Sequence, residues 1–226
     1  VFPAPNANAG PDQTICQGGS VNLTATGGLN YLWNNGATTQ TINVSPAATT
    51  TYTVTVTNTF DCADTDQVTV NVGNPQANAG PDQNICLGQT TVLNASGGVT
   101  YQWNTGATGQ SISGLGVGTY TVTVTDTATG CVANASITVS EPGDPLELVP
   151  TSNINANCFN RARVTVGASG GTPNYTYAFV QNNVAPIASN YTSSNTATLD
   201  PITTTDWDVW VMDANGCTFK LDVVIA

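Results

Sequence analysis

Six cysteines are the residues of this 226-residue sequence whose type and spacing most directly indicate chemistry. Each copy of a repeated segment carries one cysteine before its second predicted strand and one after the strand that corresponds to Thr51–Thr57. Regularly placed pairs favour disulfides, and therefore an oxidising compartment. We predict three disulfides, each closed within one repeat and each stapling one end of a β-sandwich: Cys16–Cys62, Cys86–Cys131 and Cys158–Cys217.

Six reduced cysteines in the cores are the alternative to disulfides. Zinc is a poorer interpretation, because the chain has no His and no closely spaced Cys pair. Each predicted bond would remove about 4 kcal/mol of unfolded-state entropy in the chain-entropy model. That contribution matters for domains of roughly 70 residues, whose hydrophobic cores alone are marginal.

Clustered carboxylates raise a second kind of chemistry, calcium binding through oxygen ligands. One loop carries Asp61, Asp64 and Asp66, and a second cluster contains Asp206, Asp208 and Asp213. Neither cluster has EF-hand spacing, and a solvated face at a strand start also explains the first cluster. We therefore predict no cofactor and no metal, and keep calcium at Asp61, Asp64 and Asp66 as the alternative.

The composition argues against enzymatic activity and against several classes of partner. Without His, the Ser-His and Cys-His pairs used in nucleophilic catalysis are excluded. Three basic residues and a net charge of −11 disfavour binding to nucleic acid and to anionic membranes. No apolar run approaches the ~20 residues of a membrane-spanning helix, so we expect no direct membrane insertion.

The elements that must position these residues are strands in tandem repeats. Thr51–Thr57 reads Thr-Tyr-Thr-Val-Thr-Val-Thr, and the same seven letters recur at Thr119–Thr125. This alternation is typical of a strand with Tyr and Val facing a core and Thr facing water. In the same register, Trp33 and Trp103 lie at mid-strand; we interpret them as core residues, with carbohydrate stacking as the alternative.

Short strands separated by turns, with no helical periodicity, predict an all-β fold of three tandem Ig-like β-sandwich domains in an extended rod. The predicted domains are residues 1–75, 76–144 and 145–226. The third is a diverged copy in which Asp206–Met212 replaces the Thr-rich strand. Its outward positions carry Asp208 and Trp210, which form a possible recognition surface. The alternative for Trp210 is that it packs under the insertion at Gln181–Asn195 or against a neighbouring sheet.

The repeats resemble Ig-like and PKD-like modules of large Bacteroidota surface proteins. Ala-Gly-Pro-Asp-Gln before Cys16 and Cys86, Trp-Asn-x-Gly-Ala-Thr, and the Thr-rich strand carry this resemblance. The third segment is similar to the SprB-type repeat of gliding-motility adhesins, through Gly170–Tyr177 and Asp213–Cys217. Proteins of this kind are exported by type IX secretion and displayed outside the outer membrane. The resemblance also implies that the chain is part of a longer one.

In a protein of that phylum, Asp126-Thr127-Ala128 matches an O-glycosylation motif, so Thr127 is a candidate for modification; the alternative is an ordinary turn. We expect an extracellular, outer-membrane-attached structural or adhesive module serving surface adhesion or motility. Its expected partners are neighbouring domains, a surface glycan, or a secretion or outer-membrane component. Two alternatives stay open: a carbohydrate- or calcium-binding accessory of a secreted polysaccharide-degrading enzyme, and polymerisation by strand exchange through Val1–Ala9.

Overall fold

The computed structural model describes residues 3–157, 161–199 and 205–225, and the fold is all-β. The first repeat contains six strands: β1 (Gln13–Cys16), β2 (Val21–Thr24), β3 (Asn30–Trp33), β4 (Thr41–Val44), β5 (Thr50–Thr57) and β6 (Ala63–Gly73). The second repeats them: β7 (Gln83–Asn84), β8 (Thr91–Asn94), β9 (Thr100–Trp103), β10 (Ser111–Leu115), β11 (Gly118–Thr125) and β12 (Val132–Ser140).

The third repeat contains β13 (Glu147–Ile154), β14 (Ala162–Ser169), β15 (Thr176–Gln181), β16 (Thr196–Leu199), β17 (Asp206–Met212) and β18 (Thr218–Val224). A single 3₁₀ turn at Ala188–Asn190 is the helical element within the described ranges. It lies in the insertion that the sequence places at Gln181–Asn195. Within those same ranges, no helix combines the length and the apolar composition needed to cross a bilayer.

Strand order identifies the immunoglobulin-like arrangement in the first repeat. One sheet has the order β1-β6-β5-β3 and the other pairs β2 with β4. The strands β3, β5 and β6 take the places of C, F and G, while β2 and β4 take those of B and E. The second repeat has the same order, and the third forms β13-β14-β16 and β15-β17-β18. The predicted fold class is therefore confirmed.

The parallel pairing of β1 with β6 fixes which strand ends lie at each end of the first repeat. β1 runs parallel to β6, with Gln13 opposite Val70 and Cys16 opposite Gly73. The two strands consequently end together, where the chain leaves the repeat. β5 and β6 are antiparallel, with Thr57 opposite Ala63, so the turn between them lies at the other end of β6.

The Thr-rich strand has the predicted two faces. On β5, Val54 and Val56 are fully buried, while Thr53 and Thr55 are half-buried on the other side. Trp33 packs with these valines in one cluster and is 1% exposed, and its indole Nε1 donates a hydrogen bond to the Thr39 carbonyl. Trp103 has the same burial and the same kind of hydrogen bond, to Gly109. The interpretation of both tryptophans as core residues is confirmed.

The chain divides into two compact units, each of which holds one disulfide. The first comprises Val1–Gly80, Asn94–Ser111 and Thr121–Ser136; the second comprises Pro81–Leu93, Ile112–Tyr120 and Ile137–Ala226. The core of the second unit includes a cluster from β13 to β18, with Val164, Val209 and Val211 fully buried. Strands of the second repeat contribute to both units, so the domain boundaries 1–75, 76–144 and 145–226 stay a prediction.

We predict that Trp33→Ala lowers the free energy of unfolding of the first repeat by about 3–5 kcal/mol, because it leaves a large cavity between the sheets. Leu32→Ala, on the same strand but at a side chain 52% exposed, should change it by no more than about 0.5 kcal/mol. Urea titration, with hydrogen exchange of the β2–β6 amides to localise the effect, checks both. Equal losses in the two variants would contradict this account of the core.

Candidate functional site

The two cysteines of the first repeat lie at opposite ends of its sandwich. We call the end where β1 and β6 finish the exit pole, and the end formed by the turn from β5 to β6 the entry pole. Cys16 lies at the exit pole opposite Gly73, and Cys62 lies at the entry pole directly before Ala63. β6 has 11 residues between them; at about 3.3 Å per residue it spans more than 30 Å.

Disulfides therefore cannot close within this repeat, since the Cα atoms of a disulfide lie within about 7 Å of each other. The structure instead joins Cys16 to Cys131 and Cys86 to Cys217. The Cα–Cα distance is 5.5 Å in both bonds. Each bond connects the first cysteine of one repeat to the second cysteine of the following repeat.

The predicted pairing within repeats is accordingly wrong. Cys16–Cys62 and Cys86–Cys131 are not formed, and Cys217, which was expected to pair with Cys158, bonds to Cys86. Cys158 itself lies outside the described residues. Cys62 is the free cysteine of the described part of the chain, and it is half-buried. The error arose because both cysteines of a repeat were placed at the same end of the sandwich.

Gly73 makes room for the first disulfide. It is buried at the end of β6, and a Cβ atom added there would lie 2.7 Å from the Cys131 sulfur and closer still to Thr129 Oγ1. Since side chains do not approach so closely, the missing Cβ lets the 126–131 turn pack against the exit pole of the first repeat. Gly73 is not among the residues that the sequence singles out, because the groups it lies against, Cys131 and Thr129, belong to the next repeat.

The three turns that carry the second cysteines share one scaffold. In each, an Asn or Asp begins the turn, and its backbone N–H donates to the carbonyl of the cysteine: Asn58 to Cys62 (3.1 Å), Asp126 to Cys131 (2.9 Å) and Asp213 to Cys217 (3.0 Å). The residue before each cysteine has a left-handed backbone: Asp61 (φ 55°), Gly130 (φ 72°) and Gly216 (φ 80°). An Asn or Asp four or five residues before Cys was the sequence signal that could have revealed this scaffold.

Side-chain hydrogen bonds stiffen these turns. Asn58 Oδ1 accepts from the backbone N–H of Cys62, and Asp213 Oδ1 does the same for Cys217. Asp126 instead accepts from Thr129 Oγ1 at 2.6 Å and from the Ala128 N–H at 3.0 Å. The Thr129 hydroxyl, followed by the Ala128 N–H, holds the pKa of Asp126 below its usual range.

Thr127, the candidate for glycosylation, lies exposed in the turn between Asp126 and Cys131. The motif is therefore accessible and is also an ordinary turn, so both interpretations fit its position. Its modification stays a prediction.

Two of the three carboxylates that are the calcium candidates already accept hydrogen bonds. Asp64 Oδ2 accepts the backbone N–H of Ala7 at 2.9 Å, and Asp66 Oδ2 accepts that of Ala9 at 2.8 Å. Both hydrogen bonds hold the segment that precedes β1 against β6. Asp61 lies in the turn before Cys62, exposed and in the left-handed region. Across 3–157, 161–199 and 205–225, no group of three His, Cys, Asp or Glu side chains could hold a metal ion.

Asp208 and Trp210 lie side by side on the outward face of β17, but their environments differ. Asp208 is 2% exposed; it accepts the Asn183 N–H and lies 3.4 Å from Lys220 Nζ. Its charge is therefore engaged within the sheet. Trp210 is half-buried between Ala178 and Lys220 on the neighbouring strands, and its buried Nε1 has no hydrogen-bond partner. Recognition through this pair stays a prediction.

Comparisons with known proteins give likenesses of shape alone. No family model matches the chain, and no curated protein matches it. Three N-terminal domains of the bacteriophage RB49 Highly Immunogenic Outer Capsid protein are similar at 16% identity and a TM-score of 0.45, covering 97% of this chain and 96% of that one.

Two further structures contain series of immunoglobulin domains. The eight N-terminal Ig domains of Down Syndrome Cell Adhesion Molecule give 13% identity, a TM-score of 0.42 and 99% coverage of this chain. For Sidekick-1 immunoglobulin domains 1–5, the sequence identity is 13%, the TM-score is 0.39 and the match covers 99% of this chain. The chain spans 37% and 58% of these two structures. The immunoglobulin-like assignment rests on the strand order described above.

We predict that Gly73→Ala destabilises the first unit by about 1–3 kcal/mol, since the new methyl group crowds the Cys131 sulfur and Thr129. It should also slow closure of Cys16–Cys131 during refolding with glutathione. Gly116→Ala is the matched control, because a Cβ there meets nothing within 4 Å. Trapping refolding samples with maleimide and comparing the rates measures the effect; identical rates would contradict the close packing.

Asp66 gives a prediction that depends on pH. The Ala9 N–H, and next the Gln67 N–H, lower the pKa of Asp66 in the folded chain. Its stabilising contribution is thus complete above the unfolded value of about 3.9 and is lost as the pH falls through the folded value. Asp66→Asn should cost about 1 kcal/mol at pH 7 and progressively less below about pH 4. Urea titrations at several pH values check this, and a difference that stays constant down to pH 2 would contradict it.

Proposed function

We propose that this chain is a non-enzymatic structural or adhesive segment of an exported cell-surface protein. The observation that carries the proposal is the placement of both described disulfides, each of which joins successive repeats. Disulfides of this kind persist in oxidising, extracytoplasmic surroundings. Bonds between repeats create a second covalent connection beside the backbone linker. Such a connection is useful where a chain is pulled.

The shortest covalent path between the two termini explains how these disulfides limit the extension of the chain under tension. From Val1 the shortest path crosses from Cys16 to Cys131, runs back along the backbone to Cys86, and crosses to Cys217. About 70 of the 226 residues are then able to stretch between the termini. The remaining residues are shielded from force even if their strands separate. A surface appendage with this connectivity resists extension without needing a strong core in every repeat.

We further propose that the protein serves adhesion or motility in the manner of SprB-type surface proteins, exported by type IX secretion and attached at the outer membrane as a rod or filament segment. The support is the repeat motifs, from Ala-Gly-Pro-Asp-Gln to Asp213–Cys217, together with the linked repeats. Neighbouring domains of a longer chain are its proposed covalent partners, and a surface glycan or an outer-membrane component its proposed contact. No cofactor is proposed, because Asp64 and Asp66 already accept backbone hydrogen bonds.

Pulling single molecules by their termini measures this mechanical role. The oxidised chain should extend to no more than about 250 Å, at about 3.5 Å for each residue in the shortest path. The reduced chain should reach about 800 Å on the same scale. Cys131→Ser, which opens one bond only, should give an intermediate length. An oxidised chain that extends as far as the reduced one would contradict the proposed connectivity.

The proposed location is tested on intact cells of the organism that encodes the chain. An antibody raised against the folded, oxidised protein should label these cells without permeabilisation. Brief external proteolysis should remove the label, while a periplasmic marker stays protected. Labelling that appears only after lysis would overturn the proposal of surface display and leave the disulfide connectivity untouched.

A further inference from the structure

Cys62 occupies the position that forms a disulfide in both following repeats. Cys131 and Cys217 each follow a residue with left-handed backbone in the turn between the last two strands of their repeats. Each is bonded to the first cysteine of the preceding repeat. Cys62 lies in the same turn of the first repeat, directly before β6. Two of the three equivalent positions are thus seen with the same kind of partner.

The local geometry around Cys62 already matches that of the bonded cysteines. The N–H of Asn58 donates to the Cys62 carbonyl, as Asp126 does to Cys131 and Asp213 to Cys217. The Asn58 side chain accepts the Cys62 N–H, as the Asp213 side chain accepts that of Cys217. The cysteine is consequently held in the orientation of the other two before any partner is present.

Exposure distinguishes Cys62 from its bonded equivalents. Cys131 is 1% exposed and Cys217 is 7% exposed, whereas Cys62 is only half-buried. Phe60, in the same turn, leaves 52% of its surface exposed. An apolar ring beside an accessible thiol is a suitable contact for another protein surface, because covering it removes apolar area from water.

We infer that the entry pole of the first repeat, with Cys62 at its centre, receives the exit pole of another module of this repeat type. The partner is a module whose first cysteine lies at or just beyond the end of a strand that runs parallel to its last strand. Cys16 ends β1 in this way, and Cys86 lies two residues after β7. Its cysteine forms a disulfide with Cys62, extending the series of bonds between repeats by one step. This inference concerns assembly and holds whether or not the protein is adhesive.

The bond forms by two thiol–disulfide exchanges with a small or protein disulfide as oxidant. The Cys62 thiolate attacks one sulfur of that disulfide, forms a mixed disulfide and releases one thiol. The partner thiolate then attacks the Cys62 sulfur and releases the second thiol. Two protein thiols lose two electrons and two protons, and the oxidant disulfide gains them as it becomes two thiols.

Duplicating residues 6–75 within the full chain supplies such a module. The join Pro75–Asn6–Ala7 then matches the natural sequence Pro75–Gln76–Ala77 except for Asn in place of Gln. Cys62 of the added, first copy is changed to Ser, so that only one Cys62 remains. The chain is refolded with reduced and oxidised glutathione, alkylated with maleimide, and digested without reduction. The control has both Cys62→Ser and Cys16→Ser in the added copy. It therefore differs from the duplicated chain only in lacking one cysteine sulfur.

We expect a Cys16–Cys62 cross-linked peptide in the duplicated chain and none in the control. The maleimide-labelled Cys62 peptide should appear in the control alone. The Cys16–Cys131 peptide, present in both digests, reports that the repeats have folded. A Cys62 that is still alkylated in the duplicated chain, or that is found only in Cys62–Cys62 dimers, overturns the inference.

Discussion

The structure depends on one strand pairing, the parallel contact of β1 with β6. Because Cys16 lies opposite Gly73, the first cysteine is fixed at the end where the chain leaves the repeat. The antiparallel return from β5 to β6 fixes the second cysteine, Cys62, at the end where the chain enters. A strand of 11 residues then separates the two thiols. Once this polarity is set, a disulfide can form only with another repeat, as Cys16 does with Cys131.

In this protein, packing of apolar side chains stabilises each sandwich, whereas the disulfides connect one repeat to the next. Each sandwich is held by alternating apolar residues and, in the first two repeats, by one buried tryptophan, Trp33 or Trp103. Threonine rather than charge solubilises the outward faces, and only 8% of the residues are charged. The disulfides act at the ends of the repeats, where Cys131 and Cys217 are buried and Cys86 packs against the core of the second unit. Gly73 and the turns that begin with Asn58, Asp126 and Asp213 are the local features that make these junctions possible.

Period-2 patterns were sufficient to predict the all-β fold, the two faces of Thr51–Thr57 and the buried tryptophans. The alternation of apolar and polar residues along one strand shows which of its faces is buried, so a short stretch of sequence is enough. The disulfide partners were not predictable from spacing alone. They depend on whether Gln13–Cys16 lies beside the last strand, and in which direction, which is a non-local choice. The roles of Asp64 and Asp66 were missed for the same reason, since their partners Ala7 and Ala9 lie 57 residues away in the chain.

The central claim is that cysteines bond across repeats. Its most direct test is a digest of the native, unreduced chain, alkylated at low pH to prevent exchange and analysed for linked peptides by mass spectrometry. The account predicts one peptide pair joining Cys16 to Cys131, a second joining Cys86 to Cys217, and Cys62 outside both. A pair joining Cys16 to Cys62, or Cys86 to Cys131, would contradict the polarity of the repeats and the functional proposal that rests on it.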